Sequence, residues 1–435
     1  MKLLIKNGRI IDPASKTDKK ADVLLIDGRI AEVKENINIE AAEVINAEGK
    51  WVVPGLIDIH VHLREPGYEH KENVLTGCKS AVMGGFTTIC CMPNTKPVID
   101  STEVIDFINK KTKVADLIRV LPIGSITIGQ QGKELAPIKD MLEAGICAIS
   151  EDGKTVMDTG LMERAMSLAA QLNIGVFSHC EDHEIAQNGV MNGGELAKRL
   201  KLQGIPSAAE DNITKRDIQL AKKTGAKLHL CHVSTKASVK YIKEAKLRGE
   251  NVTAEVCPHH FTLTEEAVMS KDPNTKMNPP LRSRGDVEEI IRGLKEGTID
   301  VIATDHAPHH ADEKSVGFEE APFGIVGLET AVALGISELV NKNVLTPMEL
   351  IEKMSTNPAR ILGIEGGSLE VGKRGDITII DPEAEYQIDK NKFLSKSKNT
   401  PFNNRLVQGK VTHTIVAGKV VMENGKLKGE TENDR

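Results

Sequence analysis

Aromatic side chains are scarce: only 3% of the 435 residues are Phe, Trp or Tyr. The interior must therefore be built from Val, Ile, Leu, Ala and Met. A disulfide framework is also missing. The seven Cys are an odd number, with Cys90 and Cys91 adjacent and Cys78, Cys147, Cys180, Cys231 and Cys257 scattered. Most lie in apolar runs, where a free thiol behaves as a small hydrophobe, and this fits a reducing cytosol. No run of 18 apolar residues exists, so no membrane span is expected. The opening segment MKLLIKNGRIIDPASKTDKK has no apolar core of the signal-peptide kind. Positive charge is not in excess: the formal net charge is −6, which argues against a nucleic-acid partner because phosphates would go unneutralised. A cytoplasmic protein with a small-molecule substrate is the expectation.

The chain is too long for one small core and calls for two or three domains, or one large barrel with an appendage. Residues 1–53 read as short strands. KLLIKNGRIID, ADVLLIDGRIAEV and EVINAEGKWVV carry branched apolar residues broken by turn-type pairs, and Asn7-Gly8 and Asp27-Gly28 read as hairpin turns. The same texture returns over 366–435, in GDITIIDPEAEYQI and HTIVAGKVVMENGK. One small β-sandwich domain formed from both chain ends accounts for both. Between them, 54–365 alternates eight β-type runs with amphipathic stretches. The runs are GLIDIHVH, TTICCMPN, IRVLPIGS, ICAISEDG, IGVFSHCED, KLHLCHVS, NVTAEVCPHH and IDVIATDHAPH. Helices are expected in TGLMERAMSLAAQLN, KRDIQLAKKTG, ASVKYIKEAKLRG and DVEEIIRGLKEG, several of which stop at Gly. Strand–helix alternation repeated eight times predicts an α/β fold, a (β/α)8 TIM-like barrel; an open doubly wound sheet is the alternative.

Polar residues gather where the predicted strands end, on the face where barrel active sites are built. His60 and His62 end the first strand, and period two puts them on one face. Asn94 follows the second strand and Asp152 the fourth. His179 ends the fifth, His232 ends the sixth, and Asp305 and His309 follow the eighth. Histidines with a few carboxylates suit zinc or another borderline divalent ion. Four His and two Asp exceed the needs of one tetrahedral ion, which points to a two-metal site with a bridging ligand. Each residue alone has an ordinary explanation. His-x-His recurs by chance, Asp152 reads equally as a helix cap, and Asn94 and Asn278 sit in turn-like contexts. Arg64 reads as an ion-pair partner as well as a ligand for a carboxylate. The coincidence at five separate strand ends favours the site.

The run PGLIDIHVHLREPG, followed by HCED, HVS and TDHAPH, resembles the metal motifs of the amidohydrolase superfamily. Within it, HVHLREPG, CMPNTKP, SEDG, CPHH, MNPPLR, and DHAPH followed by APFG are similar to dihydroorotases of the common bacterial type, over essentially the whole chain. The resemblance implies that His60, His62 and Asp305 hold one zinc, that His179 and His232 hold a second, and that Asp152 bridges them; one or two ions per subunit occur in this type. Related hydantoinases and allantoinases bridge with a carboxylated Lys, but here the strand tip has none before Lys154. Arg64, Asn94 and His309 would read the substrate carboxylate, Asn278 would meet the ring, and Phe323 and Gly324 would contact the substrate through backbone groups, with His62 also beside it. The implied reaction is the reversible cyclisation of N-carbamoyl-L-aspartate to dihydroorotate on the route to pyrimidine nucleotides. Metal-bound hydroxide attacks the ring amide, and Asp305 is general acid and base. Asp58 would support a ligand from behind, and His259 and His260 would be structural or supporting. His70, His183, His229, His306, His310 and His413 carry no assigned role. A homodimer and an aspartate carbamoyltransferase partner rest on the resemblance alone.

An allantoinase or hydantoinase, and an inactive relative serving in assembly, stay open. Arg64, Asn94, His309 and the absent Lys argue against the former, and the complete ligand set against the latter. A sugar-phosphate barrel would need a Gly-rich phosphate site that CPHH and TDHAPH do not offer. HHADEKSVGFEEAPFG, 309–324, reads as a loop over the site.

Overall fold

The computed structural model describes residues 2–40 and 42–429. Each of the eight expected runs contains a strand: Leu56–Val61, Phe86–Cys91, Arg119–Ser125, Ala148–Ser150, Gly175–Ser178, Lys227–Leu230, Val252–Val256 and Val301–Ile302. They pair in chain order in one parallel sheet. The ring closes where Val61 pairs in parallel with His306 and His62 N donates to His306 O at 2.8 Å. Asp58 reinforces this seam: its buried carboxylate accepts Thr304 N at 3.2 Å and His60 N at 3.1 Å. With few aromatics available, the barrel interior is filled by Ile57, Ile59, Cys90, Ile123, Ala148 and Val301, with Phe177 the one large ring.

The expected helices form at Thr159–Gln171, Ala208–Thr224, Lys236–Leu247 and Arg284–Lys295. The second starts earlier than its periodicity predicts because Glu210 and Thr214, polar in sequence, are buried in it. Glu210 lies 3.5 Å from the buried guanidinium of Arg282. Gly225 ends this helix in the left-handed conformation (φ 75°). Helix starts are capped just beyond the strand ends: Asp158 accepts Leu161 N at 2.7 Å and Thr235 accepts Ser238 N at 3.2 Å.

Strands from both chain ends join a nine-stranded, mostly antiparallel sheet. Trp51–Pro54, just before the first barrel strand, pairs with the start of Ile377–Gln387, so the two chain ends meet beside the barrel. The sheet folds over on itself. A Cβ on Gly28 would lie 2.8 Å from Ala417 O, although their strands are distant in the sheet order. Leu3, Ile5, Val23, Ile377, Ile379 and Ile415 fill the space enclosed. Asp27-Gly28 forms the expected hairpin turn, between Thr17–Ile26 and Arg29–Lys34. Asn7-Gly8 does not: it is a bulge inside the continuous strand Lys2–Asp12. Asn7 adopts φ 64° with its N–H bonded to Asp22 Oδ1 at 2.8 Å, and a Cβ on Gly8 would meet Val52 Cγ2 at 2.4 Å. The pair that favours a tight turn serves equally where a strand must admit an extra residue. No helix among the described residues is long and apolar enough to cross a membrane.

Candidate active site

The six proposed ligands converge at the C-terminal mouth of the barrel, and all are buried. Asp152 lies between the two histidine pairs. Its Oδ1 is 3.2 Å from His60 Nε2 and 3.6 Å from both His179 Nδ1 and His232 Nε2, while its Oδ2 is 3.4 Å from His62 Nε2. Asp305 Oδ1 is 3.0 Å from His62 Nε2 and 3.7 Å from His60 Nε2. His179 Nδ1 and His232 Nε2 face each other at 3.0 Å. His60 Nε2 and Asp152 Oδ1 are buried with no hydrogen-bond partner, a condition that ordinarily costs about 1–3 kcal/mol per group and that a cation between them relieves. His60, His62 and Asp305 offer ligand atoms within 4.8 Å of one another, as do His60, Asp152 and His232. The donor set thus fits divalent metal ions. Lys154 is not at the centre; its Nζ donates to Gln130 O at 2.9 Å.

The electrostatics are those of a cluster built around positive charge. Burial pushes the Asp152 carboxyl upward, but His60, His179 and His232 hold it well below the usual carboxylate range. Asp305 is likewise depressed, His62, His60 and His232 outweighing its burial. His60 is raised well above its ordinary value because Glu255 and Asp152 overcome burial, and His179 rises to about 10 beside Asp152 and Glu181. Three of the expected site residues adopt left-handed backbone: Arg64 (φ 62°), His232 (φ 34°) and Asp305 (φ 47°). Such strain persists where the surroundings impose it, commonly at functional sites.

Two carboxylates were not found in the sequence. Glu255 Oε1 is 2.5 Å from His60 Nδ1 and its Oε2 is 3.1 Å from His229 Nε2, so His60 is gripped from behind and its Nε2 is aimed at the centre. The available signal was a carboxylate inside the otherwise apolar run NVTAEVC. Glu181, two residues past His179, accepts from His179 Nε2 at 3.1 Å. Asp58 acts through the backbone, as described for the seam. His259 and His260 stand together with ring centroids 4.3 Å apart, and His260 Nε2 donates to Pro279 O at 2.9 Å.

Arg64 does not lie on the strand face that period two predicts. The strand stops at Val61, and Arg64 turns in left-handed conformation so that its half-buried side chain reaches Pro308 O (3.2 Å from Nε) and lies 3.3 Å (Nη2) from His309 Nε2. His309 Nε2 donates to Phe323 O at 2.8 Å. Burial, with Arg64 and Lys71 beside it, depresses the His309 pKa far below its ordinary value, so the ring is neutral. Gly324 (φ 121°) packs against this group; a Cβ there would sit 2.6 Å from Ala307 Cβ. Of the backbone groups of these two residues, Phe323 O, Gly324 N and Gly324 O already have partners within the chain, since Gly324 N donates to Lys276 O and Gly324 O accepts from Asn399 Nδ2. Asn94 lies against the metal-type cluster, with Oδ1 2.8 Å from His62 Nδ1 and Nδ2 3.4 Å from Asp152 Oδ2. Asn278 Nδ2 donates to Glu181 Oε2 at 2.6 Å.

A "Dihydro-orotase-like" family model matches residues 49–238, and an "Amidohydrolase family" model matches 325–422. A dihydroorotase of Pelotomaculum thermopropionicum is 54% identical over 424 residues, covering 98% of this chain and 99% of the relative. The chain belongs to the dihydroorotase family. It is thereby a hydrolase acting on a cyclic amide, within the amidohydrolase superfamily. A dihydroorotase of Acetivibrio thermocellus is 50% identical over 98% of the chain and 100% of that relative. Among solved structures, an L-hydantoinase (dihydropyrimidinase) from Arthrobacter aurescens superimposes with TM-score 0.88 at 27% identity, covering 98% of this chain and 97% of that one. The dihydroorotase-family chain thus shares its fold with ring hydrolases of another name, and its own site residues must carry the distinction.

Proposed function

We propose that the chain is a zinc-dependent dihydroorotase that interconverts N-carbamoyl-L-aspartate and (S)-dihydroorotate plus water in pyrimidine (UMP) synthesis. The observation that carries the reading is that one mouth holds both Asp152, between the two histidine pairs, and the half-buried Arg64 beyond Asp305. His60, His62 and Asp305 would hold one zinc, His179 and His232 the other, and Asp152 both. When bound, zinc supplies a Lewis acid for the ring carbonyl and makes water nucleophilic near neutral pH. Asp305, kept ionised by its histidine neighbours, accepts the proton of the attacking water and passes it to the departing ring nitrogen. Ring closure uses the same proton path in reverse. Arg64 holds the substrate carboxylate by charge-assisted hydrogen bonds and so orients the ring. His62, Asn94, Asn278, His309, Phe323 and Gly324 complete our substrate pocket. Boundaries near 53/54 and 365/366 would divide the barrel from the two-part β domain, supported by the sheet that joins the chain ends.

The test is an assay of purified, metal-analysed protein. It follows dihydroorotate opening at mildly alkaline pH and N-carbamoyl-aspartate closing at mildly acidic pH, with allantoin and hydantoin in parallel. Turnover of dihydroorotate alone, lost on chelation and restored by zinc, is expected. Turnover of hydantoin or allantoin in its place would refute the substrate.

A further inference from the structure

Glu181 stands where two parts of the site meet. It lies beyond the end of the fifth barrel strand, yet its carboxylate turns back into the mouth. Thr155 fixes its backbone: Glu181 N donates to Thr155 Oγ1 at 3.2 Å, and Thr155 Oγ1 donates to His179 O at 2.8 Å. The single oxygen Oε2 accepts from His179 Nε2 at 3.1 Å and from Asn278 Nδ2 at 2.6 Å, the latter 97 residues away in the chain.

Both bonds have consequences. A proton on His179 Nε2, donated to Glu181, leaves the Nδ1 lone pair free, and Nδ1 is the atom facing His232 Nε2 and Asp152 Oδ1. Glu181 thus selects the tautomer and the ring orientation that a metal at His179 and His232 requires. The second bond uses one N–H of Asn278 and fixes the rotation of its amide, leaving Oδ1 and the other N–H for the substrate ring. Movement of His179 on metal binding moves the oxygen to which Asn278 is anchored.

We propose that Glu181 is a positioning residue that couples occupancy of the His179/His232 metal site to the pose of Asn278, so that the metal and the substrate each strengthen binding of the other. The coupling is reciprocal by thermodynamic linkage. It rests on the reading of His179 as a zinc ligand and of Asn278 as a ring contact.

The experiment compares wild type, Glu181→Ala, Glu181→Gln, Asn278→Ala and the Glu181→Ala/Asn278→Ala double variant. Zinc affinity at each site is measured by competition with a chromogenic chelator, and kcat and KM for dihydroorotate are measured separately. Glu181→Ala should weaken the more weakly held zinc roughly 10–100-fold, the range for loss of a partner behind a metal ligand, and should raise KM. Asn278→Ala should raise KM while leaving zinc affinity unchanged in the absence of substrate. The double variant should show a KM no higher than that of Glu181→Ala, because the Asn278 amide is already released there. Glu181→Gln keeps an acceptor oxygen at the same place and should restore most of the zinc affinity. Dihydroorotate should tighten the weaker zinc more in wild type than in Glu181→Ala, the difference being the part that Glu181 carries; equal tightening in the two would also overturn the coupling. Wild-type zinc affinity in Glu181→Ala, or effects on KM that multiply in the double variant, would overturn the coupling. Wild-type protein that takes up no zinc would overturn the reading of the site itself, and the coupling with it.

Discussion

Asp152 had a rival explanation as a helix cap, and its neighbours remove it. Asp158 caps the following helix, while Asp152 lies within 3.6 Å of four histidine nitrogens. The convergence of the six expected ligands was legible because they sit at or just past strand ends, and strand ends can be read from local pattern. Glu255 and Glu181 were not, because their partners His60 and Asn278 lie 195 and 97 residues away in sequence. Arg64 was singled out with the wrong local geometry, since its left-handed backbone breaks the alternation. Two predictions belong at this scale. If Asp305 is both metal ligand and proton carrier as proposed, Asp305→Ala should lower turnover by more than about 10³-fold while circular dichroism keeps the wild-type fold. Arg64→Ala should raise KM roughly 10–100-fold, on the scale of lost charged hydrogen bonds, with a much smaller change in kcat. A change confined to kcat would remove Arg64 from carboxylate binding.

Among the elements, the barrel strands and their helices followed from periodicity, with the helix over 208–224 misjudged only where buried Glu210 looked like a surface residue. The segment after the eighth strand was legible as a loop, but not what holds it. Lys314, buried within it, donates to the carbonyls of Pro322 (2.7 Å), Pro273 (3.0 Å) and Lys276 (3.4 Å), and so fastens the loop that carries Phe323 and Gly324 to the segment before Asn278. Its amine is pushed down to about 7 by burial, with Lys276 and Arg64 adding to the effect. Lys314→Met removes three bonds and leaves Pro322 O without its donor, while Lys276 O keeps Gly324 N and Pro273 O keeps Lys276 N. Amide exchange across 311–324 should accelerate, and KM should rise more than kcat falls; unchanged exchange in that segment would show that the lysine does not hold it.

For the whole molecule, the sandwich made from both chain ends was visible as a texture repeated at the termini, whereas its fold-over and the Asn7-Gly8 bulge depend on contacts that no local window contains. Two predictions concern global stability. The histidines raised by buried carboxylates must give up protons when an ion takes their place. Calorimetry at pH 7 in buffers of different ionisation enthalpy should therefore record proton release on zinc binding, and chelation should lower the melting temperature. Identical heats in all buffers would contradict this. Glu329 is bonded to none of the expected ligands, and its carboxyl is raised to about 7 by burial against the bonds from Ser395 N, Ser80 Oγ and Leu394 N. The folded state favours its protonated form. Its contribution is therefore complete below about 4.5 and is lost as pH rises through about 7, a span worth on the order of 3 kcal/mol. Glu329→Gln should flatten the decline in unfolding free energy between pH 5 and 8, as measured by urea denaturation at constant zinc; an unchanged slope would assign that decline elsewhere.

The seam of the barrel bears on how the protein is made. His60 and His62 are synthesised early, but the backbone that closes the ring onto them, Thr304 and His306, and the acid beside them, Asp305, come more than 240 residues later. A ribosome that has released only the first seven strands presents an open sheet that already carries His60, His62, Asp152, His179 and His232 but lacks Asp305. The group of His60, His62 and Asp305 is therefore assembled only when the eighth strand is out and the cylinder shuts.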